Sequence, residues 1–197
     1  MALPLLETWH LAEPTTSSRG QRSCQLTAEN SPLKFLLGSG LSTRYGATTF
    51  DRTDAPRRNL EFVLTDHPAV QEQLRAIDDW AVAYLSKNSA RLFGKELSIE
   101  EATAAYRPLL RAQWATVRTK INVYGARACT YWDSNCLQLL DPPEWHENSY
   151  DVLVSLPQLW IMGADFGFVV ETLALKVRPL GVTCPSAFKQ SAEPSPA

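Results

Sequence analysis

The 197-residue sequence has few of the features that identify a function by composition. Its four cysteines lie at wide spacings without a C-x-x-C pair, which argues against a disulfide framework or a zinc ribbon and predicts reduced thiols. No apolar run approaches the roughly 18 to 20 residues needed to span a bilayer. The N-terminus lacks a basic region followed by an apolar signal segment. These absences predict a soluble, intracellular protein with no membrane association.

The sequence also lacks a large excess of charge of either sign. It lacks the common catalytic motifs as well. With 19 basic and 21 acidic side chains, the formal net charge is -2, which excludes a strongly basic domain but not a local basic groove. The sequence contains no G-x-S-x-G, P-loop or H-E-x-x-H motif. Cys129, Cys136 and His146 have no evident fourth zinc donor. We therefore expect no catalytic residues, no metal and no cofactor.

What is present is the composition of one globular domain, with 45% hydrophobic, 20% charged and 10% aromatic residues. Residues 1–30 mix Pro, Thr, Ser, Gly and Gln without a sustained apolar period, and the C-terminal end has the same character. The sequence therefore predicts flexible tails at 1–30 and 181–197, and a single domain over 31–180.

Two helices are predicted within an insertion at about 67–112. Between residues 68 and 85, apolar side chains recur at steps of three and four, and the opposite face, with Asp78, is expected to be solvated. A second helix is predicted to begin at Ser98, which can form a capping box with Glu101. Pro108 is expected to end or kink this helix.

Short apolar or alternating segments predict strands before and after these helices. They lie at residues 33–37, 60–64, 117–124, 126–132, 151–156, 159–162 and 166–177. Gly125 and the turn at 163–165 predict two hairpins. The fold class is therefore predicted as α+β, a small antiparallel OB-like β-barrel with a helical insertion, although open α+β sandwiches would also satisfy the pattern.

The strand at 117–124 places polar side chains about 7 Å apart in one row, near the phosphate repeat of an extended nucleic-acid strand. The candidate nucleic-acid-binding residues are this row and its extension on the predicted return strand: Arg118, Lys120, Asn122, Tyr124, Arg127 and Tyr131. Cations and aromatic rings suit a single strand, because phosphates need charge and unstacked bases need a π-face. The same alternation is also typical of the solvated face of an antiparallel sheet.

Tryptophans are further candidates for stacking on bases. Trp160 lies between two apolar neighbours in a predicted strand and is expected to be buried, whereas Trp145 lies in a loop and is expected to be more exposed. Trp80 and Trp114, at the two ends of the helical insertion, are expected to be packing residues.

The C-terminal half carries a series of short motifs in order: Arg118-Thr119-Lys120-Ile121-Asn122, a hairpin, a loop with Pro142-Pro143, Leu159-Trp160-Ile161-Met162-Gly163, and Phe166-Gly167 before an apolar last strand. Over roughly residues 115 to 178 the chain resembles the replicative single-stranded-DNA-binding proteins of phages and nucleocytoplasmic large DNA viruses. This resemblance implies an OB fold, single-stranded DNA as ligand, and backbone contacts through Arg118 and Lys120.

The resemblance also implies a role in DNA replication or recombination, replication proteins as possible partners, and a nuclear or virus-factory location if the protein is viral-like. Phage members carry an acidic C-terminal tail, whereas residues 189–197 of this chain carry little charge. The favoured hypothesis is a non-enzymatic single-stranded-DNA-binding protein. The alternatives are a protein-interaction module without nucleic-acid affinity, with Trp145 and the Arg57-Arg58 loop as contacts, and an enzyme with an unrecognised site.

Overall fold

The computed structural model describes residues 4–18, 20–49, 55–146 and 148–179, so the predicted tail at 181–197 lies outside the described residues. Three α-helices are present in the described ranges: α1 Pro68–Lys87, α2 Ser89–Phe93 and α3 Ile99–Ala105. The strands are β1 Trp9–Leu11, β2 Thr15–Thr16, β3 Arg22–Ala28, β4 Ser31–Pro32, β5 Lys34–Thr43, β6 Arg57–Val63, β7 Tyr106–Arg107, β8 Leu110–Arg111, β9 Thr116–Asn122, β10 Thr130–Trp132, β11 Gln138–Leu139, β12 Asn148–Met162 and β13 Asp165–Pro179. The predicted α+β class is confirmed.

Five of the strands pair in succession, and the fifth returns to the first. β12 pairs with β5, β5 with β6 and β6 with β9, all antiparallel. β9 then pairs in parallel with β13, which pairs antiparallel with β12. β7 and β10 also pair in parallel with β13. The prediction of an entirely antiparallel sheet is therefore wrong, because the alternation of side chains along a strand is the same in either orientation.

β12 and β13 form the long C-terminal hairpin that the sequence predicts. The strands predicted at 151–156 and 159–162 are one continuous strand, β12. Pro157 lies where the register shifts between Ser155 and Gln158, and such a bulge accommodates a residue that has no N–H to donate. The hairpin places Trp160 opposite Gly167 on β13 and opposite Ser23 on β3.

The other predicted hairpin, around Gly125, is wrong. Only Thr130–Trp132 of the expected return strand is extended, and it pairs with β13 rather than with β9. The Cys129 N–H donates to the Asn122 carbonyl at 2.7 Å. Beyond Cys129 the chain leaves β9 and runs beside β13. The connection at 123–129 is a loop, longer than the two-residue turns that hold adjacent strands in register.

The described part of residues 1–30 contains strands, in contrast to the predicted flexible tail. Trp9 and Leu11 of β1 are buried, and β3 pairs with both β1 and β12. On β3, Cys24 and Leu26 are buried at a spacing of two residues. The intervening Ser, Gln and Thr side chains are small or polar, so this alternation buries one face of the strand despite low overall hydrophobicity.

The segment between β6 and β9 begins with the helix that the periodicity predicts. Val70, Leu74, Ile77 and Ala81 of α1 are buried. α3 begins with the predicted capping box, in which Glu101 N–H donates to Ser98 Oγ at 3.2 Å and Ser98 N–H donates to the Glu101 carboxylate at 2.8 Å. α3 ends at Ala105, before Pro108, and the chain continues as β7 and β8.

Candidate nucleic-acid interface

β9 has the two faces that its sequence predicts. Val117, Thr119 and Ile121 are buried, while Arg118 is exposed and Lys120 is half-buried on the outer face. The period of two fixes this arrangement, because neighbouring residues of a strand point to opposite sides of the sheet. The outer face therefore carries the Arg118, Lys120 and Asn122 row.

The antiparallel register with β6 supplies this row with partners. Asn59 lies opposite Lys120, and Glu61 lies opposite Arg118. Lys120 Nζ donates to Asn59 Oδ1 at 2.6 Å, and an Arg118 guanidinium nitrogen lies 3.5 Å from Glu61 Oε2. These contacts hold both cationic side chains across the β6–β9 face.

Two adjoining cavities meet over this face at Lys120, Trp160 and Val169, and together we term them the basic groove. The larger, of about 920 Å³, extends to the β2–β3 turn and is lined by Ser17, Gly20, Gln21, Arg22, Ser23, Arg57, Lys120, Gln158, Trp160, Ile161, Met162, Gly163 and Val169. The smaller, of about 320 Å³, extends to β7 and β8 and is lined by Arg107, Pro108, Leu109, Arg111, Arg118, Thr119, Lys120, Trp160, Phe168, Val169 and Val170.

The basic groove concentrates positive charge in a chain that is slightly acidic overall. Its lining includes six cations: Arg22, Arg57, Arg107, Arg111, Arg118 and Lys120. Among the described residues that line it, none is an aspartate or a glutamate. The local potential therefore favours an anionic ligand, a feature that the net charge of -2 conceals.

Carboxylates lie beside these cations and orient them. Arg57 pairs with Glu171 at 2.7 Å, Arg107 with Asp165 at 2.7 Å, and Arg111 with Glu61 at 3.1 Å. In each of these pairs the arginine is the more exposed member, so its guanidinium remains accessible from solvent. Exposed ion pairs are weak, typically about 0 to 1 kcal/mol, so an incoming phosphate can compete for the arginine.

Lys120 occupies the most cationic point of the outer face. Burial lowers the pKa of its ammonium group, and the nearby charges of Arg57 and Arg118 lower that pKa further. A phosphate placed beside Lys120 would offset the two repulsive charges and raise this pKa again. The arrangement therefore favours binding of an anion at this position.

Trp160 lies at the junction of the two cavities and is half-buried. Its indole occupies the space that Gly167 leaves open, since a Cβ at Gly167 would lie 2.9 Å from Trp160 Cζ2 and 3.0 Å from the Arg107 carbonyl oxygen. Both tryptophans are partly buried, so Trp160 is less buried than predicted and Trp145 is less exposed than predicted. Trp145 packs against the core, with its ring centroid 6.0 Å from that of Tyr150, and its side chain approaches Gly46.

The predicted site residues are only partly brought together. Arg118 and Lys120 line the basic groove, and Asn122 lies at the end of the same face. Tyr124 and Arg127 are exposed in the loop after β9, so Arg127 does not continue the row on a return strand. Tyr131 is only 3% exposed and packs in the core, so its prediction as a surface contact is wrong.

The four other groove cations were not predicted. Arg22 comes from β3, Arg57 from β6, Arg107 from β7 and Arg111 from β8. Arg22 and Arg57 are far from β9 in sequence, whereas Arg107 and Arg111 lie on the two short strands that precede it, and strand pairing brings all four to one surface. Their basic side chains are visible in the sequence, but no local spacing relates them to β9.

Asp78 of α1 anchors the segment that carries the arginines of β7 and β8. Its carboxylate accepts hydrogen bonds from Tyr106 Oη at 2.7 Å, Leu109 N–H at 2.9 Å and Leu110 N–H at 3.3 Å. Burial raises the pKa of Asp78, and the hydrogen bonds, led by that from Leu109, oppose this rise. The expectation of a solvated face is thus wrong at Asp78, whereas Asp79 is exposed.

The described residues also bear on membrane-spanning segments and metal sites. Within the described ranges, no helix is long and apolar enough to cross a membrane. The same residues contain no group of three or more His, Cys, Asp or Glu side chains placed to hold a metal ion. Burial also raises the pKa of the Cys129 thiol to about 12, which disfavours the thiolate that metal binding requires.

No protein-family model and no curated protein matches this chain. Among solved structures, it is similar to the crystal structure of gp2.5, a single-stranded DNA binding protein encoded by bacteriophage T7, with 14% identity, 77% of this chain and 88% of that chain covered, and a TM-score of 0.49. It is also similar to the single-stranded DNA-binding protein from bacteriophage Enc34 in complex with ssDNA, with 11% identity, 87% and 98% covered, and a TM-score of 0.43.

Proposed function

We propose that β5, β6, β9, β13 and β12 close an OB-like barrel. The ring of pairings among these five strands supports the proposal. Further support comes from a buried hydrogen bond of 2.8 Å between the hydroxyls of Thr119 on β9 and Thr172 on β13, the parallel pair of the ring. Thr119 also donates to the Leu60 carbonyl of β6 at 3.2 Å, so three of the strands are joined on the inner side.

On the outside of this barrel, we infer a binding site for single-stranded DNA. The observation that carries the inference is the basic groove, whose six cations surround the half-buried Trp160. The cations can follow a phosphate backbone, and the indole can accept the face of a base. A duplex would offer phosphates but would keep its base faces stacked, so the central indole favours a single strand.

The corresponding function is non-enzymatic. By binding exposed single strands, the protein would protect them and present them during DNA replication or recombination. The two solved structures similar to this chain are of single-stranded DNA-binding proteins, in agreement with this proposal. Trp145, one of the two contacts suggested for the interaction-module alternative, is partly buried and packs against the core.

The direct test is fluorescence anisotropy of a labelled thymidine oligonucleotide, titrated with protein at two salt concentrations. We expect binding to weaken as salt rises. Unlabelled duplex should compete poorly, because a duplex offers only the phosphate part of the interaction. Absence of binding at low salt, or equal competition by duplex, would overturn the proposal. Tighter binding of a uridine RNA of equal length would overturn the assignment to DNA.

A further inference from the structure

Trp114 is a large aromatic side chain that the barrel does not bury. It is 47% exposed and ends a single 3-10 turn, Ala112–Trp114, immediately before β9. The guanidinium carbon of Arg111 lies 5.2 Å from the Trp114 ring centroid, a cation–π distance. The position therefore combines an accessible π-face with a positive charge.

The backbone that presents Trp114 is held in an unfavourable conformation. Ala115 has φ 47° and ψ 53°, the left-handed region, which is unfavourable for a residue with a Cβ. The Leu64 N–H donates to the Ala115 carbonyl at 2.7 Å and ties this turn to the end of β6. A strained turn that fixes an exposed aromatic ring is the kind of feature found at binding sites.

Arg111 connects this position to the basic groove. Its side chain lines the smaller cavity together with Arg118, and Trp160 lies at the junction with the larger cavity. From Thr116 to Lys120, β9 advances by about 13 Å, which matches the reach of only a few nucleotides in an extended strand. Trp114 thus contacts Arg111, one of the cations that line the groove.

We propose that Trp114 is a second base-stacking residue, which receives a nucleobase of the same DNA strand after it leaves the basic groove past Arg111. This inference rests on the proposed single-strand binding. It predicts that the protein reads a longer segment of DNA than the cavities alone would hold, with the phosphates between the two stacked bases near Arg118 and Arg111.

The test compares Trp114→Ala with wild type on thymidine oligonucleotides of increasing length. Stacking of one base corresponds to about a 5-fold to 150-fold change in affinity, so Trp114→Ala should lose that factor on long oligonucleotides and little on the shortest that bind. Trp114→Phe should recover most of the loss, because it keeps a π-face. Leu140→Ala is the matched control, since Leu140 is 95% exposed and outside the groove.

An abasic series separates stacking from phosphate contact. Removing one base at the position that reaches Trp114 should weaken wild type and leave Trp114→Ala unaffected. Equal affinities of wild type and Trp114→Ala at every length, with both proteins folded by circular dichroism, would overturn the inference while leaving the groove intact. Failure of the wild type to bind any oligonucleotide at low salt would instead overturn the proposed function.

Discussion

The Arg118→Ala/Lys120→Ala double variant is the sharpest test of the groove, because both side chains lie on its β9 wall. For single strands, each phosphate neutralised by a cation contributes about 0.7 to the slope of log affinity against log salt. If all six groove cations contact phosphates, the slope is about -4, and a rise from about 50 mM to 200 mM salt weakens binding about 300-fold. Without Arg118 and Lys120 the slope is about -3, and the same rise weakens binding about 50-fold.

The two substitutions should leave the fold intact. Arg118 is half-exposed, and Glu61 keeps its 3.1 Å contact with Arg111 when Arg118 is removed. Lys120 loses a hydrogen bond to Asn59, which costs roughly 1 kcal/mol for a typical intramolecular hydrogen bond. Thermal unfolding by circular dichroism should therefore show a small shift, and the loss of affinity should be a property of the site.

The assay is anisotropy of a labelled thymidine oligonucleotide at four or more salt concentrations. Lys34→Ala/Lys87→Ala is the matched control, since it removes two exposed cations that lie outside the groove. The control should keep the wild-type slope. A folded Arg118→Ala/Lys120→Ala protein with the wild-type affinity and slope would refute the assignment of the DNA path to β9.

Three further substitutions test other parts of the site. Gly167→Ala should displace the Trp160 indole, lower the oligonucleotide affinity and reduce quenching of tryptophan fluorescence, and unchanged quenching would contradict the contact. Because burial lowers the Lys120 pKa, wild-type affinity should fall with rising pH before the ordinary lysine value of about 10.4 is reached, and Lys120→Arg should lack that early fall. Asp78→Asn should destabilise the protein by about 1 to 3 kcal/mol in thermal or urea unfolding, because one amide oxygen cannot replace a carboxylate that accepts three hydrogen bonds. Because the folded-state pKa of Asp78 is raised, wild-type stability should fall as pH rises from about 4 through that pKa, a fall that Asp78→Asn should lack.

The elements that the sequence predicts well are those with a long, regular period. α1 shows its buried positions over five turns, and β9 alternates from Val117 to Asn122. By contrast, β3 buries Cys24 and Leu26 between small polar residues, a weaker signal that resembles a tail in composition. Parallel and antiparallel strands show the same alternation of buried and exposed side chains, so the parallel pairings of β13 could not be predicted from the sequence.

The candidate site could be predicted only where it lies on one strand. Arg118 and Lys120 share the β9 face because of their spacing. Tyr131 has the spacing for a surface row, but β10 turns away to pair with β13 and buries it. The position of the Trp160 indole depends on the missing side chain at Gly167, which lies opposite it on another strand, so a local sequence window contains no information on it.

The carboxylates beside the groove bear on how DNA would be released. Glu61 is 15% exposed and touches two arginines, so in the absence of DNA it compensates charge that would otherwise be repulsive. Under the proposed function, a bound phosphate would replace the Glu61 carboxylate as the partner of these arginines. The net gain in binding free energy would then be the difference between the two ionic contacts. The six groove cations can then guide a DNA strand along the groove. They would hold it less tightly than six cations without carboxylate partners. Under the proposed function, the Glu61 carboxylate would therefore favour reversible contact with DNA from within the same face.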